Sequence, residues 1–148
     1  MTEEVEKFTI PLRWSGKIGY VHEAETFESV RVIDALVKNV SFKDESFKDA
    51  FFYSARFVDV DFRSCNMRKF DSRNSIFENC TFDDCDFKGA SLRGSAFFNC
   101  TIKNTDMRRM DFENVRFIDC DIKKTEIDAK MKGNKDRLLL GFTEEKQK

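Results

Sequence analysis

Five cysteines, Cys65, Cys80, Cys85, Cys100 and Cys120, carry the most reactive chemistry in this chain. A thiolate serves as a nucleophile beside a basic partner, or as a zinc ligand in a tetrahedral set with other cysteines or histidines. Both uses need partners that converge. The single histidine, His22, stands far upstream of the first cysteine, and every interval between cysteines is a multiple of five. A strict period sets side chains in register along a scaffold rather than around a point. The cysteines are therefore read as small apolar core residues, buried and unpaired. Ser72 is no better as a nucleophile, because no histidine shares its phase. With no phosphate-binding glycine loop either, the sequence leads us to expect no catalytic residue, no metal site and no cofactor.

The period belongs to phenylalanine. Twelve of the 17 phenylalanines leave remainder 2 on division by five: Phe27, Phe42, Phe47, Phe52, Phe57, Phe62, Phe77, Phe82, Phe87, Phe97, Phe112 and Phe117. From Val40 the chain reads VSFKD, ESFKD, AFFYS, ARFVD, VDFRS, CNMRK, FDSRN, SIFEN, CTFDD, CDFKG, ASLRG, SAFFN, CTIKN, TDMRR, MDFEN, VRFID, CDIKK, TEIDA. The third place is large and apolar in all but one unit. The first place is mostly small and holds all five cysteines. A weaker version reaches back to Val30, giving 20 pentads from Val30 to Ala129. Self-similarity at a fixed short period marks a repeat architecture.

Places one and three face the same way if the segment is extended. The alternation breaks at place five, so each pentad is a short extended piece followed by a corner. Spacings of 2 and 3 that recur every five residues do not stay on one face of an α-helix. Stacked coils of such pieces form a β-solenoid.

The pentads resemble the pentapeptide-repeat family, whose motif is a small residue, Asp or Asn, Leu or Phe, and two variable residues. The resemblance implies an all-β fold, a right-handed quadrilateral β-helix with four pentads per coil. Twenty pentads then make about five coils, a rod roughly 24 Å long at the strand spacing of about 4.8 Å. The centres sort into four columns: Phe42, Phe62, Phe82, Ile102, Ile122; Phe47, Met67, Phe87, Met107, Ile127; Phe52, Ser72, Leu92, Phe112; and Phe57, Phe77, Phe97, Phe117. The third column holds one swap, with Phe70 in the small place and Ser72 in the large one. Glu45 stands at an inward small place and is expected near an end of the rod or paired, because a buried lone carboxylate is costly.

Basic residues number 26 and acidic residues 27, for a net charge of −1. Fourth-place ladders are largely basic (Lys43, Arg63, Lys103, Lys123; Lys48, Arg68, Lys88, Arg108), and acids such as Asp61, Asp121, Asp86 and Asp106 stand beside them. That pattern reads as a self-compensating solvated surface. It does not supply the one-sign stripe of a nucleic-acid binder, so no direct nucleic-acid contact is expected. The resemblance extends to Qnr-like quinolone-resistance proteins, which present acidic faces to type II topoisomerases as mimics of duplex DNA. The balanced charge here fits that role weakly.

Outward apolar residues break the polar pattern. Val58, Ile76, Phe98 and Ile118 fall on the fourth face, and Phe51 and Tyr53 on the neighbouring one, with Ile33 and Leu36 just before them. Such a stripe needs a cover, either residues 1–29 folded back or a partner. Phe8, Ile10, Leu12 and Trp14 alternate, and Ser15-Gly16-Lys17 turns the chain toward Ile18 and Tyr20, as in a β-hairpin. Residues 1–29 are read as an N-terminal cap, 30–129 as the solenoid, and 130–148 as a C-terminal cap and tail. Asn134 is expected to cap a short helix through Leu138, Leu139 and Leu140, ending near Gly141. Those leucines and Phe142 are candidate end-closing or dimer contacts, and the family resemblance implies tail-to-tail homodimers. No apolar h-region opens the chain and no run is long enough to span a membrane, so a cytoplasmic protein with no membrane contact is expected.

The reading that follows is a non-catalytic scaffold for protein–protein interaction. The alternatives are a modulator of type II topoisomerase, resting on the family resemblance, and a purely structural or toxin-immunity role.

Overall fold

The computed structural model describes residues 11–14, 17–21 and 27–133. Strands β1 (Pro11–Trp14) and β2 (Lys17–Val21) precede a series of three-residue strands. These are β3 (Arg31–Ile33), β4 (Leu36–Lys38), β5 (Ser41–Lys43), β6 (Phe51–Tyr53), β7 (Arg56–Val58) and β8 (Asp61–Arg63). They continue with β9 (Ile76–Glu78), β10 (Thr81–Asp83), β11 (Ala96–Phe98), β12 (Thr101–Lys103), β13 (Arg116–Ile118) and β14 (Asp121–Lys123). A helix, α1 (Ala129–Gly133), follows.

Parallel pairing joins each strand to the one twenty residues on. Phe42 lies beside Phe62, Phe62 beside Phe82, Phe82 beside Ile102, and Ile102 beside Ile122. The fold is thus a four-sided β-solenoid with four pentads to the coil. The first face is the sheet β5-β8-β10-β12-β14, and the fourth is β4-β7-β9-β11-β13. β1 and β2 form an antiparallel hairpin, and β1 pairs with β4 through Arg13 and Leu36. The hairpin extends the fourth face beyond β4 by backbone pairing.

The second and third faces differ. Apart from β3 and β6 at the start of the third, they keep only single bridges, such as Asn66 with Asp86 and Ser91 with Asp111. Several bridges run into a hydrogen-bonded turn: the amides of Ala50, Phe70 and Ala90 donate to the carbonyls of Phe47, Met67 and Phe87. Place two shows what its side chain does in the two kinds of pentad. On the turn faces Asn66, Asp86, Asp106 and Asp111 accept from the amide two residues on, at 2.9–3.2 Å. That is the Asx-turn that short polar side chains favour. On the strand faces place two more often holds residues that suit an extended backbone, such as Arg56, Ile76, Thr81, Thr101 and Arg116, although Asp61 and Asp121 also open strands there.

Every fifth residue from Ser29 to Lys124 has a positive φ. This is the corner that the broken alternation implied. Asn, Asp and Gly tolerate the left-handed region best, which explains their hold on place five.

The core is a column of stacked rings. Phe57, Phe77 and Phe97 stack at 4.7 and 4.6 Å with planes within 6°, and Phe62 stacks on Phe82 at 4.8 Å. Burying each ring contributes about 1.5–3 kcal/mol. Phe27 is fully buried and stacks on Phe47 at 4.9 Å, and Ser29 takes the left-handed corner, so the pentad pattern is already present ahead of Val30. Phe70 and Ser72 are both buried, as the swap requires. Glu45 is half-buried in the first coils.

At the other end Asp128 caps α1. One carboxylate oxygen accepts from the Met131 amide at 3.1 Å and the other from the Arg109 amide at 2.9 Å. Met131 is fully buried and closes the last coil. This short helix precedes the one expected to be capped by Asn134, which itself lies outside the described residues. The expected stretch through Leu138, Leu139, Leu140 and Phe142 lies outside the described residues.

Candidate interaction surface

The inward thiols are occupied by the backbone. Cys80, Cys85, Cys100 and Cys120 each donate to a carbonyl 23 residues back, at 3.3–3.4 Å. Cys65 reaches the Phe42 and Arg63 carbonyls at 3.7 and 3.4 Å. Their sulfurs also receive. After a strand-face pentad the next amide has no turn carbonyl to bind, and it points at place one of the following coil. The Cys65, Cys80 and Cys100 amides bond Cys85, Cys100 and Cys120 in this way. Where serine or threonine replaces cysteine the hydroxyl does the same, as in Ala55 to Ser75 at 3.0 Å and Cys85 to Thr105 at 3.3 Å. A cysteine here is a small core residue that also satisfies a buried amide.

Three of the thiols are correspondingly held in the protonated form, whereas the hydrogen bond with Cys85 lowers Cys65. The hydrogen bond with Cys120 favours the Cys100 thiolate, but the bond with Cys80 and burial outweigh it and push the thiol up to about 12. Cys85 and Cys120 are raised by thiol–thiol hydrogen bonding and burial. All five are free and buried. Among the described residues no group of three His, Cys, Asp or Glu side chains is placed to hold a metal ion. Ser72 is a structural hydroxyl, donating to the Phe52 carbonyl at 3.0 Å.

The outward charges pair between coils. Arg68 meets Asp86 at 2.8 Å, Lys88 meets Asp106 at 3.6 Å, and Arg108 meets Glu126 at 3.3 Å. The Arg108 guanidinium also holds the Asp106 carboxyl down at about 2. A depression of about 390 Å³ between Asp84, Asp86, Asn104, Asp106, Lys124 and Glu126 is framed by these same paired groups. The compensated surface expected from the sequence is thus built from specific pairs.

The apolar outward residues fall into two clusters. On the third face Phe51 and Tyr53 stack at 5.9 Å with planes 5° apart. Arg31 lies 4.4 Å over the Phe51 ring and Arg73 lies 5.8 Å from the Tyr53 ring. Asn74 donates to the Tyr53 hydroxyl at 2.9 Å. These rings are already partly covered by the protein's own cations.

On the fourth face Phe98 lies beside Ile118 in one column and Ile76 beside Ala96 in the next. Ile76 is 39% exposed, and Ala96, Phe98 and Ile118 are half-buried. Glu78 sits between Val58 and Phe98 and pairs with Arg56 at 2.6 Å. Val58 is thereby cut off from the patch. The repeat spacing picks out the large outward apolar residues but not the charged residue that interrupts them. Glu78 falls in the same column at the same period, and Ala96, which completes the patch, is too small to draw notice. Ile33, 56% exposed, lies beside Tyr53, and Leu36 beside Arg56.

Fold and surface together define a β-solenoid with a packed interior of rings and thiols and outer faces of paired charges and a small apolar patch. A family model described as pentapeptide repeats matches residues 38–94, in eight copies. That stretch of the solenoid is built of pentapeptide repeats. A second model, the SV2A/B/C luminal domain, matches residues 68–127. No curated protein matches the sequence. Among solved structures, a trypsin-treated form of QnrB1, described as a plasmid-mediated fluoroquinolone resistance protein, is 13% identical with a TM-score of 0.42. The alignment covers 80% of this chain and 84% of that one. A second QnrB1 structure aligns at 13% identity and a TM-score of 0.31, covering 79% of this chain and 83% of that one. No helix among the described residues is long and apolar enough to cross a membrane.

Proposed function

We infer that the protein is a non-catalytic scaffold that docks a protein partner on the outer surface of its fourth face. The patch of Ile76, Ala96, Phe98 and Ile118 carries this reading. It is a contiguous apolar surface on a rigid sheet, on a solenoid whose other outward positions are mostly charged or polar, and such patches mark interaction sites. Phe98 at its centre has the aromatic character of an interface anchor.

The charge pattern argues against mimicry of duplex DNA. A mimic presents acids without partners, whereas Asp71, Asp83, Asp86, Asp106 and Asp111 each lie beside an arginine or lysine. Five free, buried thiols suit a reducing compartment such as the cytoplasm. The test is affinity capture with the wild type and Phe98→Glu in parallel. Loss of specific partners from the folded variant supports the reading, and an unchanged set of partners removes the patch as the interface.

A further inference from the structure

The corner between the second and third faces carries charge that the apolar patch does not involve. Place five is left-handed from Ser29 to Lys124, and Asp, Asn, Ser or Gly occupies it except at Lys69, Arg109 and Lys124. Lys69 (φ 58°) and Arg109 (φ 59°) share one corner column, one coil either side of Gly89 (φ 79°). Long cationic side chains gain nothing locally from this backbone conformation, unlike Asn or Asp.

Their neighbours on place four, Arg68, Lys88 and Arg108, are all engaged with carboxylates. Among the described residues the Lys69 and Arg109 side chains have no ion pair or hydrogen bond; only their amides are bonded, to the Lys88 carbonyl and to Asp128. Both side chains are exposed. Gly89 leaves the corner between them without a side chain, and a β-carbon built there would lie 3.6 Å from Lys69 Cγ. Two cations with no partner among the described residues thus flank a gap, at positions where each is disfavoured by its own backbone.

We propose that Lys69 and Arg109, bracketing Gly89, dock the acidic side chains of an extended peptide segment of a partner protein. Two coils separate their Cα atoms by about 9.6 Å. Carboxylates two residues apart on an extended peptide project to one side about 7 Å apart, and the long side chains close the difference. A nucleic-acid strand fits less well. Its continuous phosphates run onto Asp49 in the same corner column and onto Asp128 at the Arg109 amide, whereas two discrete carboxylates can be set against Lys69 and Arg109 alone.

The test is fluorescence anisotropy with a fluorescein-labelled hexaglutamate peptide at low salt. It compares the wild type, Lys69→Asn/Arg109→Asn, and Lys38→Asn/Lys43→Asn, which removes the same charge elsewhere. Asparagine suits the left-handed corner, so the first variant retains its fold and its melting temperature holds or rises. Saturable binding that weakens with salt, and that falls roughly tenfold or more in the corner variant only, supports the site. Absence of binding by the wild type, equal loss in the control variant, or tighter binding of a single-stranded oligonucleotide of equal charge overturns it.

Discussion

The Ser72 hydroxyl donates to the Phe52 carbonyl one coil back, at 3.0 Å, in the inward place that a large apolar residue fills in every other pentad from Val40 on. Phe70 supplies the missing volume from the adjoining small place, with its ring 5.9 Å from that of Phe52. The two positions compensate. Ser72→Leu alone should overpack the coil against Phe70 and cost about 1–3 kcal/mol. Adding Phe70→Ala, which returns the unit to the common pattern, should recover part of that loss. Urea unfolding of the two variants checks it, and equal destabilisation of both would show that the sites are independent.

The cysteine ladder makes a second, chemical distinction. The Cys80 amide bonds the Cys100 sulfur. Cys100→Val keeps the bulk but strands that buried amide, and should cost about 1–3 kcal/mol. Cys100→Ser keeps an acceptor and should cost less. A pure packing role would reverse the order, since valine is the more apolar residue. Thermal unfolding of both variants decides between them.

Burial also fixes the pH response. Cys100 titrates near 12 in the fold against an ordinary value of 9.0. The unfolded chain loses this proton first, so the stabilising contribution is complete below about pH 9 and declines as pH rises toward 12. Stability followed by denaturant midpoint should fall across that window, and Cys100→Ser should flatten the fall. In native protein at pH 8 Cys85, Cys100 and Cys120 should resist a disulfide reagent, and all five cysteines should react after unfolding.

Asp106 separates backbone from charge. Its carboxylate accepts from the Arg108 amide at 3.0 Å and pairs with the Arg108 guanidinium at 2.8 Å. Asp106→Asn keeps the turn and should change stability by no more than about 0.5 kcal/mol, because exposed ion pairs contribute little. Asp106→Ala removes the turn acceptor and should cost about 1 kcal/mol. The low value near 2 means that the wild-type pair's contribution is present above the ordinary carboxylate value of 3.8 and is lost as pH falls through about 2. Asp106→Asn should abolish that part of the acid response.

The period, the columns and the burial of the cysteines were legible because they rest on residue size at fixed spacing. Phe57, Phe77 and Phe97 could hardly stack otherwise. The distinction between strand faces and turn faces was not, because Asp61 and Asp121 open strands while Asp86 and Asp106 open turns at the same place two. Asp86 and Asp106 pass for surface charges until their backbone bonds are seen. What escaped was lateral order on the outside. Outward residues have neighbours in two directions, and only the fold places Glu78 between Val58 and Phe98 or sets Arg31 over Phe51. The start of α1 escaped because Asp128 fills an ordinary fourth place of its pentad.

The central claim is that the fourth face binds a protein partner through Ile76, Ala96, Phe98 and Ile118. The most direct measurement is quantitative affinity capture with wild type, Phe98→Glu, Ile118→Lys and the first-face control Lys43→Glu, after circular dichroism confirms that each is folded. The same partner bands should disappear from both fourth-face variants and persist in the control. Folded Phe98→Glu that retains every wild-type partner contradicts the account.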